Sequence, residues 1–173
     1  TKDKIFNSIE TSSKDIDSNL KNILKRYPHV NWFDIDQLNS IGTMGAQIKK
    51  AGIFNLHDSV NPTSLQGGEK IRIYLLLHNE KPINNLGIHL MLNGRLGAPI
   101  FRINSYANQQ NFNVNSSRLN LFVVDFLFPE IGNGQYTLSI VLLEKRGEST
   151  EYLHWVHDAI QLKVFNKNPI FMQ

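Results

Sequence analysis

The chain has 173 residues, 41% hydrophobic and 19% charged, a balance that suits one folded domain with an appendage and excludes a disordered chain. Its formal charge of +3 is too mild to mark a nucleic-acid binder. There are no cysteines, which removes disulfides, thiolate zinc sites and Cys–His nucleophiles, so stability must come from the core.

The opening TKDKIFNSIE is polar and has no apolar stretch of the kind a signal peptide needs. The first residue is not Met, and a fragment of a longer protein is expected. Apolar runs such as Leu121–Val124 are far too short to span a membrane. Ile9, Ile16, Leu20, Ile23, Leu24 and Tyr27 are spaced to share one helix face, with lysines and aspartates opposite. The spacing predicts a helix over Asp15–Tyr27, ended by Pro28. Residues 1–41 thus read as a helical linker or N-terminal extension, whose apolar face either packs on the domain or docks a partner.

From Gly42 the pattern changes to short alternating segments broken by turns, and residues 42–173 read as a β-sandwich. The predicted strands are Gln47–Asn55, Lys70–His78, Leu86–Leu92, Ala98–Asn104, Leu119–Leu127, Gln135–Leu143 and Tyr152–Val164. Turns fall at Gly67–Gly68, Asn93–Gly97 and Asn133–Gly134. In KIRIYLLLH, Ile71, Ile73, Leu75 and Leu77 point one way, and Lys70, Arg72, Tyr74 and His78 the other. Strands at this spacing, with no alternating helices, predict an antiparallel, all-β sandwich.

No P-loop, GxGxxG or GxSxG motif is present. His154, His157 and Asp158 could hold zinc on a helix, but β-rich neighbours predict a strand, on which residues three apart face opposite ways. A bulge near Asp158 could re-aim His157. Glycoside hydrolysis needs two carboxylates about 5–10 Å apart. Asp58, Glu69, Asp125, Glu130, Glu144, Glu148, Glu151 and Asp158 are available, yet no local spacing marks a pair. No catalytic residue, metal or cofactor is assigned.

A sugar site needs aromatic rings for the flat apolar sugar faces and polar side chains around them. Arg72, Tyr74 and His78 form one outward line. His89 joins them if Ile88, Leu90 and Leu92 face the core, and Arg102, Asn104 and Tyr106 follow on the next strand. An ordinary solvated sheet face accounts equally for each residue taken singly. Tyr136 and Trp155 read equally as part of such a site or as core, because large aromatics are mostly buried.

Three stretches in order, GRLGAPIFRINSY, FPEIGNGQYTLSIVLLE and YLHWVHDAIQLKV, resemble the C-terminal domain of Wzt proteins, the nucleotide-binding subunits of ABC transporters that export O-antigen polysaccharide. The resemblance covers about Gly42 to Phe165. It departs from the family at Arg102-Ile103-Asn104-Ser105, where Gly-Thr-Asn-Thr is frequent, and at His157, where Glu is common.

The resemblance implies an immunoglobulin-like β-sandwich that binds the exported O-polysaccharide, its modified non-reducing end included, without catalysis. It implies a homodimer in which the C-terminal strand can be exchanged. It also implies a transporter permease as partner through the rest of the parent protein, and a cytoplasmic location at the inner face of the inner membrane. No nucleic acid and no membrane span are expected. Arg72, Tyr74, His89, Arg102, Asn104 and Tyr106 are the expected carbohydrate contacts. Trp155 is expected to anchor packing, Ala159 onward to form a dimer or core edge, and His154 to be a fringe contact. The alternatives are a glycan-modifying or metal-dependent hydrolase and an inert dimerisation domain; the same domain type also accompanies glycan-modifying enzymes.

Overall fold

A computed structural model describes residues 5–10, 15–57, 64–115 and 118–167. Asp58, one of the candidate acids, lies outside the described residues.

The expected helix forms as α1, Ile16–Arg26. Asp15 caps it: its Oδ1 accepts from the Asp17 N–H at 3.1 Å and the Ser18 N–H at 3.3 Å, satisfying amides that have no partner within the helix. Lys25 and Arg26 occupy the last turn, where the helix dipole favours cations.

The strands in chain order are β1 (Phe6–Glu10), β2 (Asn31–Asp34), β3 (Ser40–Ile41), β4 (Gln47–Asn55), β5 (Ser64–Leu65), β6 (Lys70–Asn79), β7 (Ile83–Asn93), β8 (Pro99–Asn104), β9 (Phe112–Val114), β10 (Arg118–Leu127), β11 (Gly134–Arg146) and β12 (Ser149–Val164). They form two antiparallel layers. The first has the order β1-β10-β6-β4-β2, and the second β3-β12-β11-β7-β8. Strand β9 adds to β7, and β5 pairs in parallel with the end of β12. The stretch before residue 42 therefore carries its helix and also supplies β1, β2 and β3 to the sheets.

The core lies between the layers. Ile71, Ile73, Leu75 and Leu77 of β6 meet Leu86, Ile88, Leu90 and Leu92 of β7 and Leu138, Ile140 and Leu142 of β11 in one buried cluster. Period-two alternation in the sequence becomes an apolar inner face on each sheet.

A second apolar cluster lies outside the first sheet. Ile23 of α1 packs there with Val30, Tyr74, Leu76, Leu119, Leu121 and Val123, flanked by Tyr27 and Trp32. Gly52 permits this close approach, since a Cβ there would stand 2.3 Å from Val30 Cγ1. The outward positions of β6 are thus covered by the molecule's own N-terminal segment. No helix among the described residues is long and apolar enough to cross a membrane.

Candidate functional site

Among the described residues, no helix lies over the second sheet's outer face. Strand pairing sets its rows: Asn104 lies opposite His89, His89 opposite Val141, and Val141 opposite Trp155. The adjacent row runs Arg102, Met91, Ser139.

Two irregularities in β12 shape this face. Leu142 pairs with His154 but Leu143 with Tyr152, so one extra residue enters β12 there. Leu138 pairs with Ile160 and Ile140 with Val156, so three β12 residues stand against Ser139. The first bulge puts Tyr152 on the same face as Trp155 although they are three apart. Their rings stack at 5.6 Å and 29°, and Trp155 stacks on His157 at 5.0 Å and 26°. The result is a wall of three rings.

Across from that wall stand His89 and Arg102. Between them is a groove of about 350 Å³ floored by Val141, Ser139 and Met91. Two of its residues each hold one polar atom that is buried without a hydrogen-bond partner among the described residues, Trp155 Nε1 and His89 Nε2. Leaving such a group unpaired costs about 1–3 kcal/mol, and buried polar atoms are ordinarily satisfied by protein, water or ligand. Burial lowers the pKa of His89, nearby Lys145 lowers it further, and a hydrogen bond with Asn104 opposes both. The ring is neutral at pH 7, so one nitrogen donates and the other accepts.

Tyr106 sits beside His89, edge to face at 6.1 Å. Its hydroxyl donates to the Asn85 carbonyl and accepts from the Lys145 N–H at 3.2 Å. Burial raises its pKa. Lys145 Nζ lies 4.6 Å from the ring centre. Gly87 makes room for this ring, because a Cβ there would stand 2.5 Å from it.

The six expected contacts therefore divide. His89, Arg102, Asn104 and Tyr106 share the open face. Asn104 is half-buried, and its Oδ1 accepts from the Tyr106 N–H at 2.9 Å, shaping the turn after β8. Arg72 and Tyr74 lie on the other sheet. Tyr74 is 3% exposed beneath the helix-side cluster and cannot stack on a ligand in this fold. Arg72 makes a two-pronged ion pair with Asp125, 2.7 Å on each arm, which raises its pKa above its ordinary value.

Trp155, Tyr152 and His157 were not among the expected contacts. Trp155 is half-exposed on the outer face, not a core anchor. The bulges that align the rings have no local sequence signature, though Asp158 before a small Ala159 is a place where a strand can kink. His154 and His157 do take opposite faces: His154 is 4% exposed, its Nδ1 accepts from the Ile48 N–H at 2.9 Å, and burial lowers its pKa.

No group of three or more His, Asp or Glu side chains among the described residues could hold a metal ion. Several candidate acids serve the fold. Glu69 accepts from Asn55 Nδ2 at 2.7 Å and the Gln66 N–H at 2.8 Å, and Glu144 binds Arg146 at 2.8 Å. Two larger clefts lie elsewhere, one of which shares Arg102 with the groove. The cleft of about 770 Å³ beside α1 is lined by Lys49 and Lys50, already paired with Asp36 and Asp34. That of about 900 Å³ between the sheet edges is walled by the stacked pair Phe101 and Phe126.

The Wzt C-terminal domain family matches this chain over residues 37–172. Among solved structures, the C-terminal domain of Wzt superimposes with a TM-score of 0.70 at 19% identity, covering 78% of this chain and 82% of that one. A family 123 glycoside hydrolase from Clostridium perfringens is similar with a TM-score of 0.39 at 12% identity, over 60% of this chain and 22% of that one. The sporulation control protein Spo0M from Bacillus subtilis gives 0.39 at 13% identity, over 69% and 49%. No curated protein matches the chain.

Proposed function

The chain belongs to the Wzt C-terminal domain family, and from that membership and the ring-lined groove we propose that it is a non-catalytic carbohydrate-binding module. Its ligand is the O-antigen polysaccharide handled by an ABC transporter. The single observation that carries the reading is the wall formed by Tyr152, Trp155 and His157 facing His89 and Arg102 across an open groove. The exposed rings of Tyr152 and His157 beside the groove offer apolar surface to the C–H face of a pyranose. Arg102 and Asn104 supply further polar contacts at the rim. The family implies the remaining context: a homodimer, a permease reached through the rest of the parent protein, and work at the cytoplasmic face of the inner membrane.

Titration calorimetry of the chain against the cell-surface polysaccharide of the organism that encodes it tests this. Saturable heat that falls about thirtyfold or more in affinity with Trp155→Ala is the expected result, the scale of a central aromatic contact. Absence of saturable heat with intact protein overturns it.

A further inference from the structure

The ring-lined groove is not the end of the hollowed surface. A second hollow of about 170 Å³ adjoins it, lined by Arg95, Thr137, Asp158 and Gln161. A third, of about 330 Å³, continues over Gln135, Gln161 and Lys163. Gly97 borders both the groove and the second hollow, and Gln135 and Gln161 border both the second and the third. The three form one track along β11 and β12. Val141 pairs with Trp155 and Thr137 with Gln161, so four residue steps along β11 separate the ring wall from the glutamines, roughly 13 Å at strand rise. That is longer than one sugar ring.

A polar network fixes the junction. Asp158 adopts φ 50° in the bulge, a conformation that Asp and Asn tolerate better than other side chains. Its N–H donates to Ser139 Oγ at 3.0 Å, and Asn93 Nδ2 donates to the same oxygen at 2.8 Å. Thr137 Oγ1 donates to the Asp158 carboxylate. The bulge is thereby held, and it turns an exposed carboxylate into the track. A carboxylate has about four acceptor sites, and Thr137 takes one. No ion pair among the described residues joins Asp158. Arg95 and Lys163 flank the track, which disfavours a cationic ligand, and the Asp158 carboxylate, with acceptor sites to spare, suits the hydroxyls of a sugar.

We propose that Asp158, with Gln161 and Gln135, forms a second subsite that grips the next sugar of the same chain through two adjacent hydroxyls. This rests on the glycan reading of the ring-lined groove and makes the site one that holds a run of sugars lying along the strands.

The test uses the whole chain and size-fractionated fragments of the same cell-surface polysaccharide, from single repeat-unit sugars upward, with affinity read by calorimetry and binding positions by backbone-amide NMR shifts. Affinity should rise with fragment length. Asp158→Asn, which suits the same backbone conformation, should reduce the affinity of long fragments about tenfold, the scale of one charge-assisted hydrogen bond. It should leave the shortest binding fragments unaffected, and Gln161→Ala should act in the same direction. Long fragments that bind intact protein no better than short ones overturn the second subsite and leave the ring-lined groove standing. So does equal weakening of short and long fragments by Asp158→Asn. Failure of every length to bind overturns the glycan reading itself and the subsite with it.

Discussion

The outer faces of the two sheets carry similar residues and meet different fates. On the first sheet, Tyr74, Tyr27 and Trp32 lie within an apolar cluster capped by α1. On the second, Tyr106, Tyr152 and Trp155 stay half-buried or exposed. The two tryptophans show the contrast in a single bond. Trp32 Nε1 donates to the Tyr27 carbonyl at 3.2 Å, whereas Trp155 Nε1 has no partner among the described residues. One face is finished by its own chain and the other is left with unused capacity. Aromatic content does not mark a binding surface; what covers it does.

Alanine at the buried ring should have the largest effect on stability. Tyr74→Ala should cost about 3–5 kcal/mol in urea unfolding, because it empties a closed cluster. Trp155→Ala should cost less than half of that, and in glycan affinity the order should reverse. Equal stability losses at the two positions would show that the second face is not open.

Glycines beneath the rings sharpen the same contrast. Gly52→Ala drives a Cβ into Val30 and the Trp32 ring on the closed face, and about 1–3 kcal/mol of destabilisation is expected from overpacking. Gly87→Ala meets the Tyr106 ring, which lies at the open face and can yield only by giving up its hydroxyl bonds to Asn85 and Lys145. Its stability loss should be the smaller of the two, while the NMR signals of His89 beside that ring should shift.

A pH titration comes next in size. His89 and His154 both have pKa values lowered chiefly by burial from an ordinary 6.5. Their neutral forms belong to the folded state, so their contribution is complete above the unfolded value. It is lost as pH falls through 6.5 toward the lower folded values. The melting temperature should therefore fall between about pH 7 and about pH 5. A profile in that window unchanged by His89→Gln would remove His89 from the account. The smallest effect is expected at Arg72. Its pair with Asp125 is partly exposed, so Arg72→Gln should cost less than about 1 kcal/mol and leave glycan binding unchanged.

The sandwich was legible because its strands alternate cleanly. Gln47–Asn55 forms over the predicted bounds, and β6, β7 and β12 extend their predicted segments by a few residues at the ends. The helix was legible from its spacing and from Pro28. Strands β1, β2, β3, β5 and β9 were not, since two to five residues hold too little periodicity to read. The site was half legible. His89, Arg102, Asn104 and Tyr106 follow from alternation within their own segments. Tyr74 obeys the same alternation, but alternation says which way a side chain points and nothing about what arrives above it. Trp155 fails in the opposite sense. His157, two residues on, shares its face by ordinary alternation, but Tyr152 aligns only because a bulge resets the register, and a bulge depends on the neighbouring strand.

The bulge at Asp158 also bears on solubility. Strand β12 meets β3 at Trp155 and Val156, and β5 at Lys163 and Val164, so between these contacts its outer edge has no strand partner among the described residues. A flat, apolar run there would template pairing with other chains, the route by which exposed edges seed aggregates. The kink, the Asp158 carboxylate and the nearby Lys163 break that run, so the irregularity that turns Asp158 into the track also guards the strand against unwanted company.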